Sequence, residues 1–420
     1  MKDSFLLKNT FLNLVYQIIV AIFGIFVTTY LYKTIDSTSF VIFGYLSIAL
    51  FFLNYTNFGI AVINTREVAQ YYKDFQKINL KQINASLYSN FFICLLICFL
   101  TFLIHNSALD FYRKDDFFIP LYGVIINYFL QIHIRSSADG IGNFNVSRNI
   151  KSLFYISFYL AAFITHHYNL DSIANLLILM LFSIFLFFVA LKDYSSFSFQ
   201  NLKPLIFNNF IQGLPFFVIA IISGLIGYID RFFIGFYLSA SLLASMLYII
   251  DISSRQSLIG TALSNITFKY FMSSSEEKSR LMIQKITNLI ILYAFLTSFG
   301  IFVFKEEILI FLNLQDNITI SVILNIWIGF ALMLINTIQY QKIISSFLEN
   351  KWKIFIICEL ILLVPLIYIL FDINAVLFIS IIIYLRASIQ ILFADLIVRD
   401  LKYFLYLCIM IAFCLINFLL

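Results

Sequence analysis

Asp251 and Arg255 stand four residues apart in a long apolar run, with the acid first. On a helix this spacing places carboxylate and guanidinium on one face, in the more favourable order. A guanidinium binds phosphate through two parallel charge-assisted hydrogen bonds and stays charged at every relevant pH. The pair is therefore either an anion-binding arginine held in place by its acid or a neutral lock between helices. Asp230 and Arg231 form a second acid–base couple, adjacent in sequence and so pointing in different directions. Glu359 and His133, each near the end of an apolar run, are the candidates for proton coupling. Arg135 and Arg386 sit where a long side chain reaches the interface by snorkelling.

Uncharged polar residues fall at helical intervals in the same runs. Asn9, Asn13, Gln17, Gly24 and Thr28 form one stripe, and Ser47, Asn54, Asn57 and Asn64 form another. Asn209, Gln212, Ser223, Gly227 and Asp230 make a third, and Ser241, Ser245, Tyr248, Asp251 and Arg255 a fourth. Polar groups in hydrocarbon are costly unless they meet a partner or water. The stripes therefore line an aqueous cavity or hydrogen-bond helix to helix. The run 171–191, polar only at Asn175 and Ser183 within its apolar core, and the run 150–168 before it are expected to face lipid.

Enzymatic signatures are absent: the chain contains no H-E-x-x-H, no P-loop and no G-x-S-x-G. His166-His167 has no further ligand nearby in sequence. The cysteines, Cys94, Cys98, Cys358, Cys408 and Cys414, all lie in apolar runs without zinc spacing and read as buried small apolar residues. The expectation is a non-enzyme with no cofactor and no metal.

The elements that must carry these residues follow from composition. Of 420 residues, 62% are apolar and 12% charged, with a mean hydropathy of +0.96. Soluble domains have about 45–50% apolar and about 25% charged residues. At about 20 residues per span, the apolar content suffices for roughly 13 transmembrane helices. A soluble enzyme, a nucleic-acid-binding domain and a secreted disulfide scaffold are excluded. Hydropathy and charged punctuation predict spans at 9–32, 38–62, 83–105, 117–137, 150–168, 171–191, 206–230, 238–265, 283–304, 318–342, 353–371, 373–394 and 402–420. The runs are continuous and far longer than a barrel strand of about 10 residues. With few prolines and glycines, the helices should be mostly continuous, and 63–82 should be a basic, polar inner loop.

The net charge of +5 resolves into a topology signal. With the N-terminus inside, Lys33, Arg113, Lys114 and Lys305 fall in outer segments and Arg231 and Arg255 within spans. The other lysines and arginines, out of 27, all mark inner segments, as the positive-inside rule requires. The run from Asn9 to Tyr32 is too long for a signal peptide and reads as a retained first span.

In two segments, NYTNFGIAVINTREVAQ (54–70) and IDRFFIGFYLSASLLASMLY (229–248), the chain resembles the bacterial polysaccharide-exporting flippases. Their superfamily also holds multidrug antiporters. The resemblance implies an all-α, polytopic inner-membrane bundle, with two six-helix lobes arranged as a V around a central cavity. It implies lobes at 1–200 and 201–396 and an additional span at 397–420. Family members have 12 or 14 spans, so thirteen departs from the pattern at the C-terminal end. The implied substrate is undecaprenyl-diphosphate-linked oligosaccharide, an O-antigen repeat unit, moved from the cytoplasmic to the periplasmic leaflet. Arg255 and Arg231 would attract the diphosphate, with Asp251 and Asp230 beside them. Asn13, Gln17, Asn54 and Asn57 would hydrogen-bond sugar hydroxyls, and Arg66 would guide the headgroup in at the inner rim. The implied partners are the lipid-linked oligosaccharide, the bilayer and other O-antigen assembly membrane proteins, with no nucleic acid. A cation-coupled multidrug exporter of the same fold is the alternative, and it calls for cavity carboxylates rather than arginines. A membrane glycosyl-polymerase is the alternative from another class, and it calls for a large outer loop that this chain lacks.

Overall fold

The computed structural model describes residues 3–53, 56–107, 114–194, 202–214, 238–256, 275–312, 318–345 and 386–390, with single positions between them. The described residues form helices and no strand. In chain order they are α1 (Asp3–Thr34), α2 (Ser37–Leu53), α3 (Ile60–Phe75), α4 (Leu80–Ser107), α5 (Lys114–Gly140), α6 (Phe144–His167) and α7 (Ser172–Tyr194). After a helical stretch at 203–214 come α8 (Ala240–Ser254), α9 (Glu276–Val303), α10 (Lys305–Leu312) and α11 (Ile320–Ser345). Five of them contain apolar stretches long enough to cross a bilayer, among them Leu80–Ser107, Glu276–Val303 and Ile320–Gln339. Helices are the element that satisfies every backbone group internally in hydrocarbon. The chain is an all-α, multi-pass membrane bundle. The expected spans at 353–371 and 402–420 lie outside the described residues, as does most of 373–394.

The chain divides into two compact units, 22–225 and 1–21 with 226–420. In the first, α5 is the hub and packs on α2, α3, α4, α6 and α7. Val68, Ile83, Ile134, Ala138, Ile150 and Leu186 form an apolar cluster between these helices. In the second, α11 packs on both α8 and α9, around Ile283, Ile290, Ile328, Leu332 and Ile335. Outward faces are apolar too. Phe92, Leu96, Phe99 and Leu103 of α4, Leu181 and Phe188 of α7, and Leu292, Phe295 and Phe299 of α9 are all exposed. Such faces are stable against lipid and not against water.

Two expectations require correction. The run 38–62 is not one helix: α2 ends at Leu53, and α3 starts at Ile60 after Phe58 and Gly59, both with positive φ (52° and 66°). The left-handed turn is accepted at Gly59 because glycine lacks a Cβ. Segment 63–82 is not a polar loop, because α3 occupies Ile60–Phe75 and buries Ile60, Ile63, Asn64 and Val68 on one side. Its charged residues mask that apolar stripe in a hydropathy average.

Candidate functional site

In the unit 1–21 with 226–420, the site grows from the end of α8. The helix stops at Ser254, and the backbone N–H groups of Arg255 and Gln256 donate to the Ile252 and Ser253 carbonyls in a tightened last turn. The run 238–265 is thus interrupted at Arg255, which places a cation at a helix C-terminus, where the helix dipole favours it. Arg255 is buried, at 7% exposure, and its Nη2 donates to Asp251 Oδ2 at 2.5 Å. The i,i+4 geometry expected from the sequence is realised. Lowered dielectric strengthens the pair, and each charge neutralises the cost of burying the other.

Neighbouring residues brace it. Gln256 Nε2 donates to the Trp327 carbonyl of α11 at 3.1 Å. Trp327 Nε1 donates to Thr297 Oγ1 of α9 at 2.9 Å. Three helices are thereby tied at the depth of the pair. Further along α11, Asn336 Nδ2 donates to Gln390 Oε1 at 2.6 Å. Gln256, Trp327, Thr297, Asn336 and Gln390 were not among the residues the sequence singles out. The available signal was an amide or a tryptophan placed in an apolar helix, which by itself does not say what it bonds to.

The candidates in the unit 22–225 occupy a second set of positions. Asn57 lies in the α2–α3 break, where its Oδ1 accepts from the Gly59 N–H at 3.0 Å and its Nδ2 donates to the Tyr128 hydroxyl at 3.1 Å. The break is also clamped from outside. A Cβ on Gly213 would lie 2.0 Å from the Phe58 carbonyl oxygen, and Phe58 stacks on Phe217 at 3.6 Å between ring centroids. Asn64 is buried and donates to both Ser136 and Ser137 of α5, at 2.8 and 3.0 Å. Gln82 donates to Asn209 at 3.0 Å. The stripe residues Asn57, Asn64 and Asn209 thus bond to neighbouring helices. His133 is fully buried, and neither ring nitrogen has a hydrogen-bond partner among the described residues. The Arg66 side chain is 69% exposed and pairs with Glu67 at 3.6 Å.

Gln17 is buried in α1, and its amide has no partner among the described residues. Asn13 lies on α1 four residues earlier, one turn away. Asn54, Asp230, Arg231 and Glu359 lie outside the described residues. Among the described residues, no group of His, Cys, Asp or Glu is arranged to hold a metal.

Comparison with known proteins adds a family and a fold. A family model described as "Polysaccharide biosynthesis protein" matches residues 6–246. No curated protein matches the chain. Among solved structures, a multidrug resistance MATE family transporter of the MOP superfamily is similar in two forms. The outward-facing form has a TM-score of 0.61 and 14% identity, covering 93% of this chain and 96% of that one. The inward-facing form has a TM-score of 0.62 and 12% identity, covering 93% and 95%. A MOP superfamily transporter from Pyrococcus furiosus, described by a "reverse polarity of binding pocket", has a TM-score of 0.55 and 13% identity, covering 93% and 96%. At such identities the likeness is one of fold.

Proposed function

The chain belongs to the polysaccharide biosynthesis protein family, and we propose that it is a flippase for undecaprenyl-diphosphate-linked oligosaccharide, the O-antigen repeat unit. It would carry this substrate from the cytoplasmic to the periplasmic leaflet of a bacterial inner membrane, with its own N-terminus in the cytoplasm. The observation that carries the reading is the buried Asp251–Arg255 pair in a member of this family. A guanidinium has five N–H donors, so one carboxylate does not exhaust it. Asp251 would hold Arg255 in a fixed orientation, and the arriving diphosphate would take up donors in bidentate fashion. Arg231 would add a second positive charge, with Asp230 orienting it. Asn13, Gln17, Asn54 and Asn57 would meet sugar hydroxyls, and Arg66 would draw the anionic headgroup in from the rim. Lobes at 1–200 and 201–396, with 397–420 as an additional span, would rock about the headgroup while the polyprenyl tail stays in lipid. Glu359 and His133 would serve any proton coupling. Other O-antigen assembly proteins of the membrane would receive the product. No catalytic step or cofactor enters this reading.

Complementation tests it. In a strain lacking its own flippase, the wild-type chain is expected to restore the surface polysaccharide ladder. Arg255→Ala and Arg231→Ala, expressed at equal levels, are expected to reduce it strongly. Full ladders from both variants would remove the arginines from the mechanism. Drug accumulation unaffected by expression of the chain is the expected result against the multidrug-exporter alternative.

A further inference from the structure

We propose that the unit 22–225 carries a second ligand site, for an uncharged sugar residue, in a cavity remote from the Asp251–Arg255 pair in sequence. The proposal rests on the flippase reading for its biological meaning and on the cavity itself for its chemistry.

The cavity measures about 630 Å³, within the range of about 300–1,000 Å³ that small-molecule sites occupy. It lies where the end of α1, the starts of α2, α5 and α7, and the end of α6 meet. The charge bias assigns this end to the outer face. Three carboxylates line it: Asp36, Asp116 and Asp171. Each stands at the N-terminus of a helix. Asp36 accepts from the Ser39 N–H at 3.0 Å ahead of α2, and Asp171 accepts from the Ala174 N–H at 2.8 Å ahead of α7. Asp116 sits in the first turn of α5. Their charge is thus offset by helix dipoles and backbone donors. Asp36 Oδ2 also accepts from the Ser39 hydroxyl, and each ionised carboxylate offers about four lone-pair sites in all.

Among the described residues no lysine or arginine lines the cavity while three carboxylates do, so an anionic ligand meets negative charge there. Aromatic faces supply the rest. Phe43 stacks on Phe158 at 5.7 Å, and Tyr30, whose hydroxyl hydrogen-bonds to His167 Nδ1 at 2.8 Å, forms another wall. Carboxylate acceptors beside aromatic faces suit a pyranose, whose hydroxyls donate and whose C–H faces are apolar.

A separate observation points to a ligand. Asn175 lines the cavity, is nine-tenths buried, and makes no side-chain hydrogen bond among the described residues. Its amide opens onto the cavity, where a sugar hydroxyl would supply a hydrogen-bond partner.

The test is saturation-transfer NMR on the purified full-length chain in a sugar-free detergent. Glucose and N-acetylglucosamine are the observed probes, and glucuronic acid and inorganic diphosphate are added as competitors. The neutral sugars are expected to bind, with glucuronic acid and diphosphate failing to compete for this site. Asn175→Leu and Asn175→Ser, checked by thermal unfolding, are each expected to weaken the neutral sugars by about ten-fold. Gln70→Ala, on the exposed face of α3, is expected to leave them unchanged. Neutral-sugar binding that survives both Asn175 variants, glucuronic acid binding equal to glucose, or no binding by any sugar overturns the proposal. Sugar binding through Asn175 in a chain that translocates no lipid-linked oligosaccharide leaves this site standing and sinks the flippase reading. Translocation without sugar binding does the reverse.

Discussion

Arg255 Nη2 and Asp251 Oδ2 meet at 2.5 Å at the end of α8, with the arginine 7% exposed. An ion pair withdrawn from water is an expensive way to stabilise a helix, because desolvation offsets most of the Coulomb gain. The flippase reading would give the guanidinium a task that offsets this cost.

That view separates folding from transport. Asp251→Ala strands a buried cation and is expected to destabilise the chain by about 3–5 kcal/mol, read as a lower unfolding temperature in detergent. The double variant Asp251→Leu/Arg255→Leu removes both charges and is expected to recover most of that stability while leaving transport abolished. A double variant that transports normally would make the pair a structural lock alone.

Gly213 meets the α2–α3 break at backbone contact distance. Gly213→Ala forces a Cβ against the Phe58 carbonyl, at 2.0 Å, and is expected to cost about 1–3 kcal/mol as overpacking. Thermal unfolding checks it, and an unchanged midpoint would mean the break moves freely.

Asn64 joins α3 to α5 through two serine hydroxyls. Asn64→Leu is expected to lower stability by about 1–3 kcal/mol, because hydroxyls buried with it lose their donor. Neighbouring exposed positions on α3, such as Gln70, are expected to tolerate the same change within about 0.5 kcal/mol.

The orientation is testable by cysteine labelling on a cysteine-free background. Asn106→Cys, at the exposed end of α4, is expected to react with an impermeant maleimide in intact cells. Lys77→Cys is expected to react only after permeabilisation. The reversed pattern would invert the topology.

The membrane class, the helical runs at α4, α5, α6, α7, α9 and α11, and the Asp251–Arg255 contact were legible because each depends on local spacing. A run of apolar residues or an i,i+4 pair carries its own geometry. The α2–α3 break was hard to read because Asn54 and Asn57 fall at helical spacing from Ser47 and Asn64 and so look like one continuous polar stripe, although Asn57-Phe58-Gly59 is a turn-type sequence. The partners of Gln256 and Trp327, and the meeting of Asp36, Asp116 and Asp171 around Asn175, depend on which helices pack together. Tertiary packing of that kind does not appear in the order of the residues.

The most direct measurement reconstitutes the purified chain into liposomes holding a fluorescent polyprenyl-diphosphate-linked oligosaccharide and follows its arrival in the outer leaflet by a membrane-impermeant quencher. The wild-type chain is expected to expose the inner-leaflet pool, and Arg255→Ala, folded and inserted at equal levels, is expected to slow that exposure at least about ten-fold, as loss of a charge-assisted phosphate contact should. Equal rates for wild type, Arg255→Ala and empty liposomes would contradict the account.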